Sequence, residues 1–483
     1  MTAARTGCDP LLHHLVALAT LRRPQGRLPR VNLKLRLIVM NFLQFFIWGS
    51  WLISIGAYWF QNKHWSGTQF GAIFSTMGIA SLFMPTIAGI LADRWINAER
   101  LYGTLHLLGA ALLLVLPTVE DPGTFFWVIL LTMMCYMPTI ALAIAVSYNA
   151  LKQGGQDIVQ VYPPIRVWGT VGFVVALWVI ALLHLGTSSG QFYVAAASAV
   201  VLGLYAFTLP PCPPKLGRPF DQALGDPGKL EVSALDAFGR SNRFALLVDT
   251  FGLRAFTLFK NPKLAIFFFF AMLLGAALQL TNAYGDTFLH DFAKLDVYKN
   301  GFAVRYPEFI MSISQISETL CILLIPFFLK RFGIKTVMLL SMIAWTLRFG
   351  LFAYGDPGSG LWMIVLSCIV YGLAFDFFNI SGSLFVEGQS DEKIRASAQG
   401  LFMLMTNGIG AVLGSTISGY VIDRFFTDHA CSDAVAICKN WPGIWTTFAL
   451  YSLVTGVAFA LLFKHKHDPA MLRDLHPDVK VGA

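Results

Sequence analysis

Four short runs in this chain place hydrogen-bonding or ionisable side chains inside otherwise apolar sequence. "IMSISQISETL" carries Gln315 and Glu318 three residues apart, and "GAALQLTNAYGDTF" carries Gln279 and Asn282 at the same interval, with Asp286 four further on. "VYGLAFDFFNISGS" places Tyr371 and Phe375 four apart, with Asp376 adjacent and Asn379 one turn on. "YPPIRVWGTVGF" gives Arg166, Thr170 and Phe173 at i, i+4 and i+7. Helical spacing puts the polar members of each run on one face. The amides offer donors and acceptors, Glu318 and Asp376 offer acceptors or a proton site, and the rings of Phe173, Tyr371 and Phe375 offer stacking faces. This is equipment for holding a ligand without covalent chemistry. No nucleophile–base pair, metal-ligand spacing or phosphate-cradling loop is visible, so an enzyme is not expected.

The elements that must position these side chains are membrane helices. Hydrophobic residues make up 56% of the 483, charged residues only 13%, and the mean hydropathy is +0.63. A soluble domain carries about a quarter charged residues, so this is a polytopic membrane protein. Twelve apolar stretches are marked at 36–60, 70–91, 101–118, 125–150, 165–186, 191–209, 264–290, 307–330, 335–354, 361–387, 396–422 and 443–463. Each is long enough to cross about 30 Å of hydrocarbon as a helix, and in lipid only a helix or a closed barrel satisfies its own backbone.

An ionisable group inside such a helix costs about 2.5–3.5 kcal/mol on insertion scales, so it is a functional hypothesis by default. Bland readings compete with it. Amides commonly tie helices together, Arg166 could snorkel to the inner interface, and the three aromatic rings could be ordinary packing. Arg348, near the outer end of its stretch, is expected to snorkel; Asp286 is close enough to an outer end to be solvated. Pro163 and Pro164 fit a helix start just before Arg166.

The net charge of +8 is a matter of topology. With both termini inside, the cytoplasmic segments collect Arg94, Arg100, Lys152, Lys330, Arg331, Lys335, Lys393 and Arg395, together with the central linker and both tails. The outer loops hold Lys63, Lys294, Lys299, Arg305, Arg424 and Lys439. That is the positive-inside pattern, and nucleic-acid binding drops out. Cys135, Cys321 and Cys368 fall within apolar stretches as small fillers. Cys431 and Cys438 share the last outer loop and either bridge there or stay free.

The expected organisation is a cytoplasmic extension at 1–31, a six-helix bundle at 32–209, a Pro-rich and basic cytoplasmic linker at 210–263, a second six-helix bundle at 264–467 and a cytoplasmic tail at 468–483. Two pseudo-symmetric bundles around a central cavity are what transporters built from repeats have. "GILADRWINAER", from Gly89 to Arg100, resembles the Gly-x-Leu-Ala-Asp-Arg signature of the major facilitator superfamily. Asp93 and Arg94 are placed there as a conformational latch. Trp95, Ile96 and Asn97 depart from the later part of that signature.

A closer resemblance covers about Asn32 to His467. "FLQFFIWGSW", "GIASLFMPTIAGILAD", "PPIRVWGTVGF", "FLHDF", "IMSISQISETL", "FAYGDP", "YGLAFDFFNISGS" and "IRASAQG" are similar to the nucleoside:proton symporter family of the major facilitator superfamily, the bacterial nucleoside permeases. The resemblance implies twelve transmembrane helices and proton-coupled import of nucleosides across the inner membrane. The implied partners are nucleosides, protons and the bilayer; no cofactor is needed beyond the proton gradient. Carried over by motif, the substrate site falls on Arg166, Thr170, Phe173, Gln279, Asn282, Gln315, Glu318, Tyr371 and Phe375. The proton-coupling candidates are Glu318, Asp376 and Asp286. The chain departs from the family pattern at Ala277, where a glutamate is expected, and at Asp286, where an asparagine is expected.

The residues read on their own suit a flat ring with amide-like edges and several hydroxyls, which a nucleoside has. A proton-linked sugar or oligosaccharide permease is the alternative within the superfamily. A non-transporting receptor or scaffold is the alternative of another class.

Overall fold

The computed structural model describes residues 30–214, 253–390, 395–431 and 436–465. Nearly all of the proposed N-terminal extension, most of the central linker, the tail and Lys393 lie outside the described residues. Each of the twelve apolar stretches falls on helix. In chain order these are α1 (Arg30–Gly49), α2 (Gly67–Arg94), α3 (Ala98–Val115), α4 (Pro122–Gln153), α5 (Ile158–Leu182), α6 (Gly190–Ala206) and α7 (Pro262–Asp291). A 48-residue run, Pro307–Tyr354, holds two helices end to end, α8 and α9, because Gly333 at φ 77° breaks it. Only glycine takes that conformation without a Cβ penalty. The last three are α10 (Leu361–Gln389), α11 (Arg395–Phe426, with a π turn at Leu404–Gly410) and α12 (Trp441–Leu462).

Local chemistry sets many of the starts. Ser66 and Gln69 close a capping box on α2. Asp121 accepts from the Thr124 N–H at 2.6 Å with Pro122 in the first turn of α4, and Asn261 and Asn440 cap α7 and α12 in the same manner, with Pro262 and Pro442 in the first turns. One expectation fails here. Helix α5 begins at Ile158, so Pro163 and Pro164 sit inside it rather than at its start. Membrane helices tolerate interior prolines because neighbouring groups re-satisfy the freed carbonyls; Pro85, Pro138 and Pro326 are further cases.

Helices α1–α6 pack among themselves, chiefly α1 on α5, α2 on α4 and α3 on α6, while α8 packs on α10 and α9 on α12 in the second set. The two sets meet along α2 with α11 and α5 with α8. The meeting is uneven along its length. A Cβ on Gly71 would lie 3.0 Å from Gly419 Cα, and one on Gly78 2.8 Å from the Gly408 carbonyl, so α2 and α11 touch backbone to backbone there. Asp423 of α11 accepts hydrogen bonds from the Gly67 and Thr68 N–H groups at the start of α2, and from the Thr68 hydroxyl at 2.7 Å.

Further along the same two helices the contact is gone. A Cβ on Gly89 or on Gly400 would meet nothing within 4 Å among the described residues. The bundles therefore close tightly at the end where α2 begins, while α2 and α11 leave open space at Gly89 and Gly400, toward the end that carries the basic loops. The disulfide Cys431–Cys438 lies at the shut end, which settles the alternative the sequence left open. Just beyond it, Lys439 places its ammonium 4.1 Å from the Phe60 ring of the other bundle.

Candidate binding cavity

Four helices supply the polar runs. From α7 come Gln279, which is buried, and Asn282, which is half-buried; from α8 come Gln315 and Glu318, both half-buried. Helix α10 contributes Tyr371 and Asp376, both buried, with Phe375 half-buried. From the other bundle, α5 contributes Arg166 and Thr170, half-buried, and Phe173, buried.

These side chains are held firmly but are not all satisfied. The Tyr371 and Phe375 rings lie parallel, 4° apart in plane and 5.8 Å between centroids. Trp345 meets Tyr371 edge-on at 6.0 Å, and Gln315 lies close to the Tyr371 hydroxyl. Arg166 rests its guanidinium 4.1 Å from the Phe45 ring, within electrostatic reach of Glu318 across the divide between the bundles. Glu318 in turn is felt by both Tyr371 and Asp376. Gln279 Oε1 and Asp376 Oδ2 are buried with no hydrogen-bond partner among the described residues. Unpaired buried acceptors are uncommon in folded proteins because each forfeits its hydration. Arg166 of the first bundle thus comes together with Glu318, Tyr371 and Asp376 of the second, with the stacked Tyr371–Phe375 pair beside them.

Several positions do something other than the sequence led us to expect. Arg348 does not snorkel: it is 1% exposed, donates to the Ser367 carbonyl at 2.7 Å and lies 4.6 Å from the Tyr371 ring. The reason is positional. Its helix face points into the bundle, where carbonyls and a ring face replace water as partners. Asp286 is not solvated but fully buried, with His290 Nδ1 3.1 Å from its carboxylate. Glu308 joins them, and the nearest ligand atoms of the three residues all lie within 4.8 Å of one another. Asn379, read as part of the polar stripe, donates to the Phe375 carbonyl at 3.0 Å. Asp93 is exposed and Arg94 half-buried at the parted end, and neither forms an ion pair with a described residue.

Sequence reasoning missed Trp345 and Asn407, which line a pocket beside Phe375 and Asn379. Trp345 carries no polar signal that separates it from packing. Asn407 sits in the π turn of α11, a distortion that marks functional sites often but leaves no spacing to read.

Comparison with known proteins bears on what this cavity is for. A family model described as nucleoside H+ symporter matches residues 31–226 and 239–468. The chain belongs to the nucleoside H+ symporter family. It is 50% identical over 444 residues to the xanthosine permease of Escherichia coli (strain K12), covering 92% of this chain and 99% of that protein. It is 47% identical over 438 residues to the nucleoside permease NupG of the same organism, covering 90% and 97%. A crystal structure of the nucleoside transporter NupG matches with a TM-score of 0.77 at 46% identity, over 90% of this chain and 100% of that one. The family places the chain among major facilitator transporters rather than enzymes, as a multi-pass membrane protein, in line with its nine helices, among the described residues, long and apolar enough to cross a bilayer.

Proposed function

We propose that this protein imports nucleosides across a bacterial inner membrane, driven by the proton gradient alone, with both termini cytoplasmic. The observation that carries the reading is the set of unsatisfied acceptors, Gln279 Oε1 and Asp376 Oδ2, beside Glu318 and opposite Arg166. Family membership and the names of the relatives support nucleosides as the class of ligand. Gln279, Asn282, Gln315 and Glu318 hold base edges and ribose hydroxyls, while Phe173, Tyr371 or Phe375 stacks on the base. Thr170 completes the first-bundle wall beside Arg166. A ribose hydroxyl or base N–H that meets an unpaired acceptor restores a hydrogen bond the empty cavity lacks.

The conformation is the one that releases substrate inward: shut at the far end, parted at the basic end. Charges on Glu318 and Arg166 come from different bundles, so their separation changes as the bundles rock. A carboxylate taken from water is costly unless it is paired or protonated. A nucleoside and a proton arriving together neutralise the acidic wall and let the far end close. Asp93 and Arg94 serve as the latch in the opposite state, when the basic end shuts.

The test is uptake of labelled uridine and adenosine by cells lacking their own permeases, with and without a protonophore. Accumulation should collapse with the gradient, and unlabelled nucleosides but not maltose or other sugars should compete. Accumulation that survives the protonophore undiminished refutes symport; competition by sugars refutes the substrate class.

A further inference from the structure

Asp286, His290 and Glu308 lie at the shut end, Asp286 one helical turn beyond Asn282. Asp286 and His290 are one turn apart on α7, and Glu308 is in the first turn of α8. Asp286 is 0% exposed and Glu308 2%. Neither carboxylate oxygen of Asp286 has a hydrogen-bond partner among the described residues; His290 Nδ1 lies 3.1 Å from Oδ2 and 3.2 Å from the Asp286 backbone carbonyl.

The other bundle covers this cluster. Gly186, in the connection between α5 and α6, packs against the Glu308 carboxylate so closely that a Cβ there would overlap it. Around that contact His184 stacks on Tyr306 at 5.2 Å. Trp178 stacks on Phe309 at 5.6 Å and donates to the Ser312 hydroxyl at 3.0 Å. His184 holds φ at 53°, a region a non-glycine residue rarely occupies. Parting the bundles at this end would strip that cover and open the cluster to water.

The charge count is the decisive point. With both carboxylates ionised and His290 protonated, the buried set carries one net negative charge. Among the described residues, the basic groups at this end are engaged elsewhere. Lys294, at the end of the α7 run, contacts Asp291 at 3.0 Å; Arg305 is exposed and lies 5.6 Å from the Tyr306 ring. His184 is engaged with the same ring. The charged groups that act on His290 and Glu308 are each other and Asp286. A net charge sealed from water is expensive, and one added proton removes it.

We propose that Asp286, His290 and Glu308 form a proton-binding site at the far gate, distinct from the cavity, and that this gate closes fully only after the cluster has taken one proton from outside. The proposal rests on the import direction given above for the cavity, but its test does not depend on transport. Opening the gate at high external pH and closing it at low pH would tie substrate occlusion to proton supply.

The measurement is hydrogen–deuterium exchange of the purified full chain at backbone amides 183–189 and 299–306, between about pH 6 and pH 8.5, corrected for intrinsic exchange. For the wild type, protection should fall with rising pH, with a limiting slope of about tenfold per unit for one linked proton. Asp286→Asn makes the ionised cluster neutral, so its protection should be flat with pH. His290→Gln leaves two carboxylates and should make the dependence steeper. A purely structural role would weaken protection in both variants and leave the pH slopes alike; that result overturns the proposal.

Glu308→Gln gives a second neutralising variant should Asp286→Asn fold poorly, and it should also be flat. Zinc ions added alone at micromolar level provide a further arm. Protection that follows zinc rather than pH, and is lost in His290→Gln, would make this a metal site and also overturn the proposal. If the wild type shows the pH slope yet fails to accumulate uridine, the cavity reading fails while the gate reading stands.

Discussion

Two sets of buried polar groups, one in each bundle, differ in how far they are satisfied. In the first, Gln44 is 0% exposed and saturated: its amide donates to Thr139 at 2.9 Å, its carbonyl oxygen accepts from Tyr102 at 2.6 Å and lies 2.9 Å from His106 Nε2, and its backbone carbonyl accepts from Tyr136 at 2.7 Å. In the second, Gln279 and Asp376 are as deeply placed but keep acceptor atoms with no partner among the described residues. Both are amide or acid groups inside apolar helices. A closed network ties helices together and specifies one arrangement; an open one keeps its hydrogen-bonding capacity for something that arrives. Between these two sets, the difference is one of satisfaction, not of residue type.

That contrast can be broken most forcefully at Glu318. Glu318→Gln should abolish gradient-driven uridine accumulation, a loss of roughly a hundredfold or more if it removes both an acceptor and the proton site, while the protein still purifies as a folded species. Full accumulation by Glu318→Gln would move the proton role to Asp376 or Asp286. Gln44→Ala should do the reverse. It leaves Tyr102, His106 and Thr139 short of a buried partner, at a cost of about 1–3 kcal/mol for each unsatisfied group. Thermal stability in detergent should drop clearly, with uridine affinity of the surviving protein changed little. A Gln44→Ala protein as stable as the wild type would show that this network is not glue.

Smaller effects sharpen the comparison. Tyr371→Phe removes a hydroxyl that lies close to Gln315 but keeps the ring between Arg348, Trp345 and Phe375. A loss of about 0.5–1.5 kcal/mol, or roughly two- to tenfold in uridine Kd, should follow in equilibrium titration. Asn379→Ala should be smallest, within about twofold, because its amide already serves the Phe375 carbonyl. A tenfold weakening there would put Asn379 in the binding site after all.

Much of this was legible in the sequence, for identifiable reasons. Apolar length reveals membrane helices, and three- and four-residue spacing gathers Gln279 with Asn282 and Gln315 with Glu318 on single faces. Motif resemblance then supplied the family. Other features depend on tertiary contacts that spacing does not encode. Arg348 read as a snorkelling residue from its place along the helix, whereas the direction of its helix face decided the matter. Asp286 read as solvated because only folding brings Glu308 to it from the next helix and Gly186 from the other bundle. The start of α5 was misplaced because Pro163 and Pro164 signal a helix boundary in water, yet continue a helix that neighbours support. Nothing in "TNG" announces that Asn407 sits in a π turn.

The central claim is that the unpaired acceptors are the ligand's partners, and Gln279 tests it most directly. Its Oε1 has no partner to lose among the described residues, so Gln279→Ala should leave thermal stability close to that of the wild type. Calorimetric titration of the purified variant with uridine should show binding weakened about tenfold, one hydrogen bond of roughly 1.4 kcal/mol. Unchanged affinity together with a lowered melting temperature would contradict the account, placing Gln279 with Gln44 among the residues that hold the helices together.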